Sequence, residues 1–134
     1  LIADTFHVDK GLFNMIAKAK GDKLCLITDC MRAGGMPDGE YELGGQQVFL
    51  QGGIAKLADG TIAGSATNLF RGMGNAMAFG IREEDAVRAA TYNPACALGV
   101  QDVVGSIETG KVADFLVCAD GYQSKRVFLA GKEL

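Results

Sequence analysis

Tryptophan is absent from this 134-residue sequence, and histidine occurs once, at His7. With a single imidazole, no His-x-His or His-Glu pair can seed a metal centre. The four cysteines, Cys25, Cys30, Cys96 and Cys118, form no C-x-x-C pair, which argues against a structural zinc site. A disulfide framework is equally unneeded in a chain this long and core-rich, so the cysteines read as small apolar residues in a reducing cytoplasm. No basic stripe is present and the formal charge is −3, which removes nucleic acid as a partner. No apolar run reaches membrane-spanning length and no signal peptide is visible, so a membrane is not expected either. Walker and dinucleotide fingerprints are missing, as is a Ser-His-Asp order with elbow glycines.

What is there suits a folded domain. The composition is 49% hydrophobic and 22% charged, enough to bury a core. The 19 glycines foretell many turns. The chain opens with Leu1-Ile2-Ala3-Asp4, without Met and already inside an apolar run, which leads us to expect a fragment of a longer protein.

Leu1 to Ala3 reads as the end of a buried strand closed by Asp4, followed by a loop to Asp9. Residues 9–20 carry a helical apolar face, with Asp9 as cap and Lys18 and Lys20 at the C-terminal end. Residues 23–28 form a second strand, apolar throughout, as in a parallel sheet covered on both faces. The stretch 39–65 predicts two or three short antiparallel strands divided by Gly-Gly pairs and by Asp59-Gly60. Residues 66–80 predict a helix. Another runs from 81 to Asn93-Pro94, where the residue before proline leaves the helical region. A short helix over 94–98 ends at Gly99. The tail is β again, with strands over 112–117 and 125–129 and a turn at Ala130-Gly131-Lys132. Such an order suggests pieces of two domains.

Asp29 raises the central question, because a buried-looking run, Leu24-Cys25-Leu26-Ile27-Thr28, ends abruptly in a carboxylate. In barrels and open α/β sheets, sites are built at the C-terminal ends of strands. A carboxylate there can serve as general base or acid or bind a metal; the plainer alternative is a turn cap. His7 follows the preceding strand in the equivalent place, so the two side chains could face one pocket. Asp4 and Asp9, which flank His7, read as turn or cap residues. The glycine-punctuated loop DGTIAGS, 59–65, could approach a ligand closely or be an ordinary hairpin. Arg32 and Arg71 could pair an anion but fit a solvated surface as well, and Glu83, Glu84 and Asp85 read as a helix start.

Five stretches together, ADTFHVD, LITDCMRAGGMPDGEYELGG, DGTIAGS, ATYNPACALG and GSIETGKVADFLV, resemble the C-terminal third of the N-acetylglucosamine-6-phosphate deacetylase family within the amidohydrolase superfamily. The last is widespread in the superfamily; HVD, TDCMRAGG and DGTIAGS narrow the likeness, which covers essentially the whole chain. The resemblance implies an α/β fold: the last two βα strands of a metal-dependent-hydrolase TIM barrel, plus C-terminal strands of a small β-sandwich domain. Residues 1–98 would belong to the (β/α)8 barrel with inserted hairpins, and 99–134 to the small β-domain. It further implies hydrolysis of the acetamide of N-acetylglucosamine 6-phosphate, with Asp29 as the catalytic acid/base. His7 and the backbone around Ile62, Ala63 and Gly64 would bind substrate. One divalent metal ion, zinc, iron or similar, would be held by ligands upstream of Leu1, with none in this fragment. Cys30 stands where some relatives have Ala. Alone, the chain would be inactive; the whole enzyme would be a cytoplasmic homodimer acting on a small amino-sugar phosphate. The alternatives are another amidohydrolase acting on a cyclic amide, in the manner of a dihydroorotase or hydantoinase, and a non-catalytic β-rich module.

Overall fold

In the computed structural model, which describes residues 1–119 and 121–134, the first two apolar segments run parallel, as expected, but do not build a full ladder. One bridge, Ile2 to Ile27, joins them. The amide of Ile27 donates to the Leu1 carbonyl at 3.0 Å, and the Leu1 ammonium to the Cys25 carbonyl at 2.8 Å. On its other side the second segment is held by helices: the Leu26 amide donates to the Ala89 carbonyl at 2.8 Å, and the buried Asn93 donates from Nδ2 to the Leu24 carbonyl at 2.8 Å.

Between the two segments lies helix α1 (Phe13–Lys20), entered through a 3-10 turn at Lys10–Leu12. Asp9 caps that turn, accepting from the Gly11 amide at 2.8 Å, as its residue type predicts. Phe13 is fully buried and meets Phe79 edge-on at 5.0 Å between ring centres. These rings join Ala3, Leu24, Leu26, Met73, Ala76, Ile81, Ala86 and Ala89 in the main core.

Four antiparallel strands follow, one more than the upper expectation: β1 (Gly39–Leu43), β2 (Gln46–Gln51), β3 (Ile54–Leu57) and β4 (Ile62–Ser65), in sheet order β1-β2-β3-β4. The Gly-Gly pairs occupy the two tight turns, and Asp59 closes the third by accepting from the Thr61 amide at 2.9 Å. The sheet has its own core of Met31, Ala33, Val48, Leu50 and Ala55.

Helix α2 (Leu69–Ala78) is shorter than its apolar pattern, because Asn68 caps it by accepting from the Arg71 amide at 2.9 Å. Its Asn75 donates to the Ala3 carbonyl at 2.8 Å, tying the helix to the first segment. Helices α3 (Glu83–Ala90) and α4 (Tyr92–Leu98) divide at Thr91, earlier than Asn93-Pro94. Thr91 leaves helical geometry at φ −130° and ψ −79°, and its hydroxyl donates to the Val87 carbonyl at 2.8 Å. Pro94 then sits in the first turn of α4, where a missing N–H breaks no helical bond. The acidic start of α3 is as expected, with the Arg82 guanidinium reaching Asp85 at 2.9 Å.

The tail forms a separate sheet, β5 (Phe115–Ala119), β6 (Ser124–Leu129) and β7 (Lys132–Glu133), in that order. The first strand begins three residues later than Val112. The Val112 amide is spent on the Val103 carbonyl at 2.9 Å, and Asp114 accepts from the Ala130 amide at 2.7 Å, so the ladder starts at Phe115 stacked on Phe128. Ala130-Gly131 makes the expected turn into β7.

Tyr122 clasps this sheet to the helices. Its hydroxyl donates to Glu83 at 2.6 Å, and its ring tilts against Phe70, over which Lys125 also sits. The Glu83 carboxylate holds the phenolic proton and opposes a phenolate, which pushes the Tyr122 pKa up to about 12. Since an unfolded tyrosine titrates near about 10, this contribution is complete below that pH and is lost as pH rises toward the folded value. Urea denaturation across that window is expected to lose stability in the unsubstituted chain and to give a flatter profile in Tyr122→Phe. Identical profiles would mean that the clasp contributes nothing.

Candidate active site

Asp4 follows directly on the first extended segment and is buried, its side chain 2% exposed. It is more than a turn residue. Oδ1 accepts from the amides of Phe6 and His7 at 3.0 and 3.1 Å, and Oδ2 lies 2.7 Å from His7 Nδ1. Burial works to raise its pKa, but the two backbone donors and the imidazole outweigh it and hold the carboxyl below its ordinary range. An ionised Asp4 can only accept, which favours a proton on His7 Nδ1 and leaves Nε2 toward Asp29.

Asp29 follows the second segment in the matching place. Its side chain is half exposed, and Oδ2 lies 3.8 Å from His7 Nε2. The backbone at Asp29 turns into the left-handed region, φ 52°, which aspartate tolerates better than most residues. Thr28 secures the turn, its hydroxyl accepting from the Cys30 amide at 3.2 Å. The two expected residues therefore stand together, and a third, Asp4, completes a line from a buried carboxylate through an imidazole to a half-exposed carboxylate. Sequence reasoning assigned Asp4 to a turn; the signal that could have found it was a carboxylate three positions before the only histidine.

The DGTIAGS stretch reaches the same place through β4. Cys30 and Ser65 form a parallel bridge, with the Ser65 amide donating to the Asp29 carbonyl at 3.0 Å and the Met31 amide to the Ser65 carbonyl at 2.9 Å. Gly64 is buried against this junction: a Cβ there would lie 3.4 Å from the Asp29 carbonyl oxygen. Ile62 and Ala63 stand further along β4. Ala63 packs against the core of the four-stranded sheet, and Ile62 is partly exposed opposite Lys56. Gly64 and Ser65 are thus the residues of this strand that meet Asp29. Arg32 and Arg71 are exposed, and Cys30 is an exposed free thiol.

The donors at hand do not complete a metal site. Among the described residues no group of three or more His, Cys, Asp or Glu could hold an ion. One imidazole nitrogen and one carboxylate fall short of the three protein ligands that a catalytic divalent ion usually takes. What the pair can do is move a proton: a carboxylate accepts one from water, and the outward nitrogen offers a lone pair beside it. Among the described residues no helix is long and apolar enough to cross a membrane.

The chain is 36% identical over 133 residues to N-acetylglucosamine-6-phosphate deacetylase of Vibrio furnissii, covering 98% of this chain and 33% of that protein. It is 34% identical to N-acetylgalactosamine-6-phosphate deacetylase of Escherichia coli O157:H7, covering 98% of this chain and 35% of that one. The crystal structure of N-acetylglucosamine-6-phosphate deacetylase from Pasteurella multocida superposes with a TM-score of 0.94 at 32% identity, covering all of this chain and 36% of that one. The chain thus spans about a third of the length of these relatives. The model of the amidohydrolase family matches residues 8–134, and the chain belongs to that family.

Proposed function

We propose that this chain forms the C-terminal part of a deacetylase that hydrolyses the acetamide of an amino-sugar 6-phosphate, N-acetylglucosamine 6-phosphate first among them. One observation carries the reading: His7 and Asp29 follow two segments bridged in parallel, with Nε2 and Oδ2 3.8 Å apart. In a βα-built hydrolase that is the end of the sheet where chemistry is done.

Within such an enzyme, Asp29 takes a proton from the attacking water as its oxygen bonds to the amide carbon. The acid so formed returns the proton to the amide nitrogen, and the C–N bond breaks to release acetate and a free amine. His7 contacts the reacting amide, and the backbone around Ile62, Ala63 and Gly64 borders the sugar. The family is generally metal-dependent. A divalent ion, which would polarise the carbonyl, would be held by residues beyond this chain, because the donors among its described residues do not suffice.

The same reading makes residues 1–98 the end of a (β/α)8 barrel with inserted hairpins, and 99–134 part of a small β-domain. The parallel bridge around α1 and the separate sheet β5-β6-β7 support that division. The whole enzyme would be a homodimer in the cytoplasm, where four free thiols are at home. The 134-residue chain by itself would not turn over substrate.

The test is acetate release by the protein from the complete reading frame, metal-loaded, on the N-acetylglucosamine and N-acetylgalactosamine 6-phosphates in parallel. Turnover of the first is expected. Turnover of the second alone would change the sugar but keep the chemistry. No acetate from either would overturn the reading.

A further inference from the structure

The line Asp4–His7–Asp29 holds more than two carboxylates near an imidazole. Asp4 Oδ1 is committed to the amides of Phe6 and His7, and Oδ2 to His7 Nδ1. Because the carboxylate is buried and already serves three donors, it has no freedom to swing away from the ring. A neutral imidazole has one N–H, and Asp4 claims it. Nε2 is left with a bare lone pair, facing Asp29 Oδ2 at 3.8 Å. Two acceptors facing each other repel until a proton lies between them. Uptake of a proton by Asp29 supplies that proton.

We propose that Asp4 is a positioning residue, which locks His7 in the Nδ1–H form so that Nε2 accepts a hydrogen bond from the acid form of Asp29. This deepens the deacetylase reading and rests on it for its consequence, though not for its geometry. The proton passes from water to Asp29 as the water oxygen bonds to the amide carbon. The Asp29 hydroxyl rests on Nε2 while the tetrahedral carbon forms; on release from Nε2 the same proton passes to the leaving nitrogen and the C–N bond breaks. The present separation is beyond hydrogen-bond length and closes when a hydroxyl hydrogen occupies it. Asp4 stays ionised throughout, as a triad carboxylate does.

The substitution Asp4→Asn makes the point sharply. The two backbone donors of Phe6 and His7 need an acceptor, so the amide oxygen faces them and the NH2 group faces Nδ1. The ring must then carry its proton on Nε2, which turns a donor toward Asp29.

15N NMR of the histidine-labelled complete protein, with the His7 signals assigned by their loss in His7→Gln, reads this tautomer. In the unsubstituted chain near neutral pH, Nδ1 is expected to carry the proton and Nε2 to give the downfield signal of a bare nitrogen. In Asp4→Asn the two assignments are expected to exchange. A bare Nδ1 in the unsubstituted chain overturns the proposal whether or not the variant folds, and so does a folded variant that keeps Nδ1–H. In the complete protein, Asp4→Asn is expected to lower kcat about 100-fold with KM changed less than about threefold, in the range of a disabled proton transfer. An undiminished kcat overturns the proposed consequence. Loss of the deacetylase reading itself would be recognised separately, by absence of acetate release in the unsubstituted enzyme.

Discussion

Replacing Asp29 by asparagine in the complete protein is expected to lower acetate release by about 100-fold or more, with the fold intact. The size follows from the role: a positioned acid/base contributes about two to four powers of ten, and an amide can neither take nor return a proton at neutral pH. The fold should be indifferent for three reasons visible in the structure. The side chain is half exposed and packs into no core. The structural work of the residue is done by its main chain, whose carbonyl accepts from the Ser65 amide at 3.0 Å. Its positive φ of 52° is one that asparagine adopts readily. The unfolding free energy should therefore shift by no more than about 0.5 kcal/mol. Steady-state kinetics beside thermal unfolding separates the two quantities. A variant that keeps turnover within a few-fold would remove Asp29 from the chemistry, and the site would have to be sought elsewhere on the chain.

The second large effect is on stability and lies far from that carboxylate. Gly105 opens the GSIETGKVADFLV stretch and is pressed against the break between α3 and α4. A Cβ there would stand 2.8 Å from the Ala95 Cβ and 3.2 Å from both the Thr91 carbonyl oxygen and the Tyr92 Cα. All three atoms belong to backbone or to an alanine and cannot turn aside. The backbone also sits at φ +96°, a region side chains avoid. Strain of about 1–3 kcal/mol and overpacking of about 1–3 kcal/mol act together, so Gly105→Ala should cost about 2–6 kcal/mol. Against a typical total of about 5–15 kcal/mol this is enough to shift the urea midpoint visibly or to abolish folding. A midpoint within error of the unsubstituted chain would mean that the segment moves away at little cost.

Much of the secondary structure was legible because it is local. The apolar face and cap of α1, the acidic start of α3 and the Gly-Gly turns of the four-stranded sheet are decided by residues a few positions apart. Boundaries were less so where a long-range bond took over. Thr91 ends α3 before the proline, and Val112 gives its amide to Val103 instead of to the next strand. A fourth strand, β4, exists because it pairs on one side with β3 and on the other with Cys30, a partner more than thirty positions away that no local pattern announces.

The candidate site divides the same way. The sequence by itself determined that Asp29 ends an apolar run, that His7 is the sole imidazole, and that DGTIAGS is punctuated by glycines; these follow from residue type and spacing. Only the tertiary structure decided that the three meet. It also drew in Asp4, because burial together with two backbone amides makes a turn residue into the anchor of a ring. Which nitrogen of His7 faces Asp29 is a matter of a 2.7 Å contact formed by the fold. A carboxylate's partner is set by distance and desolvation, and neither is written in a string of letters.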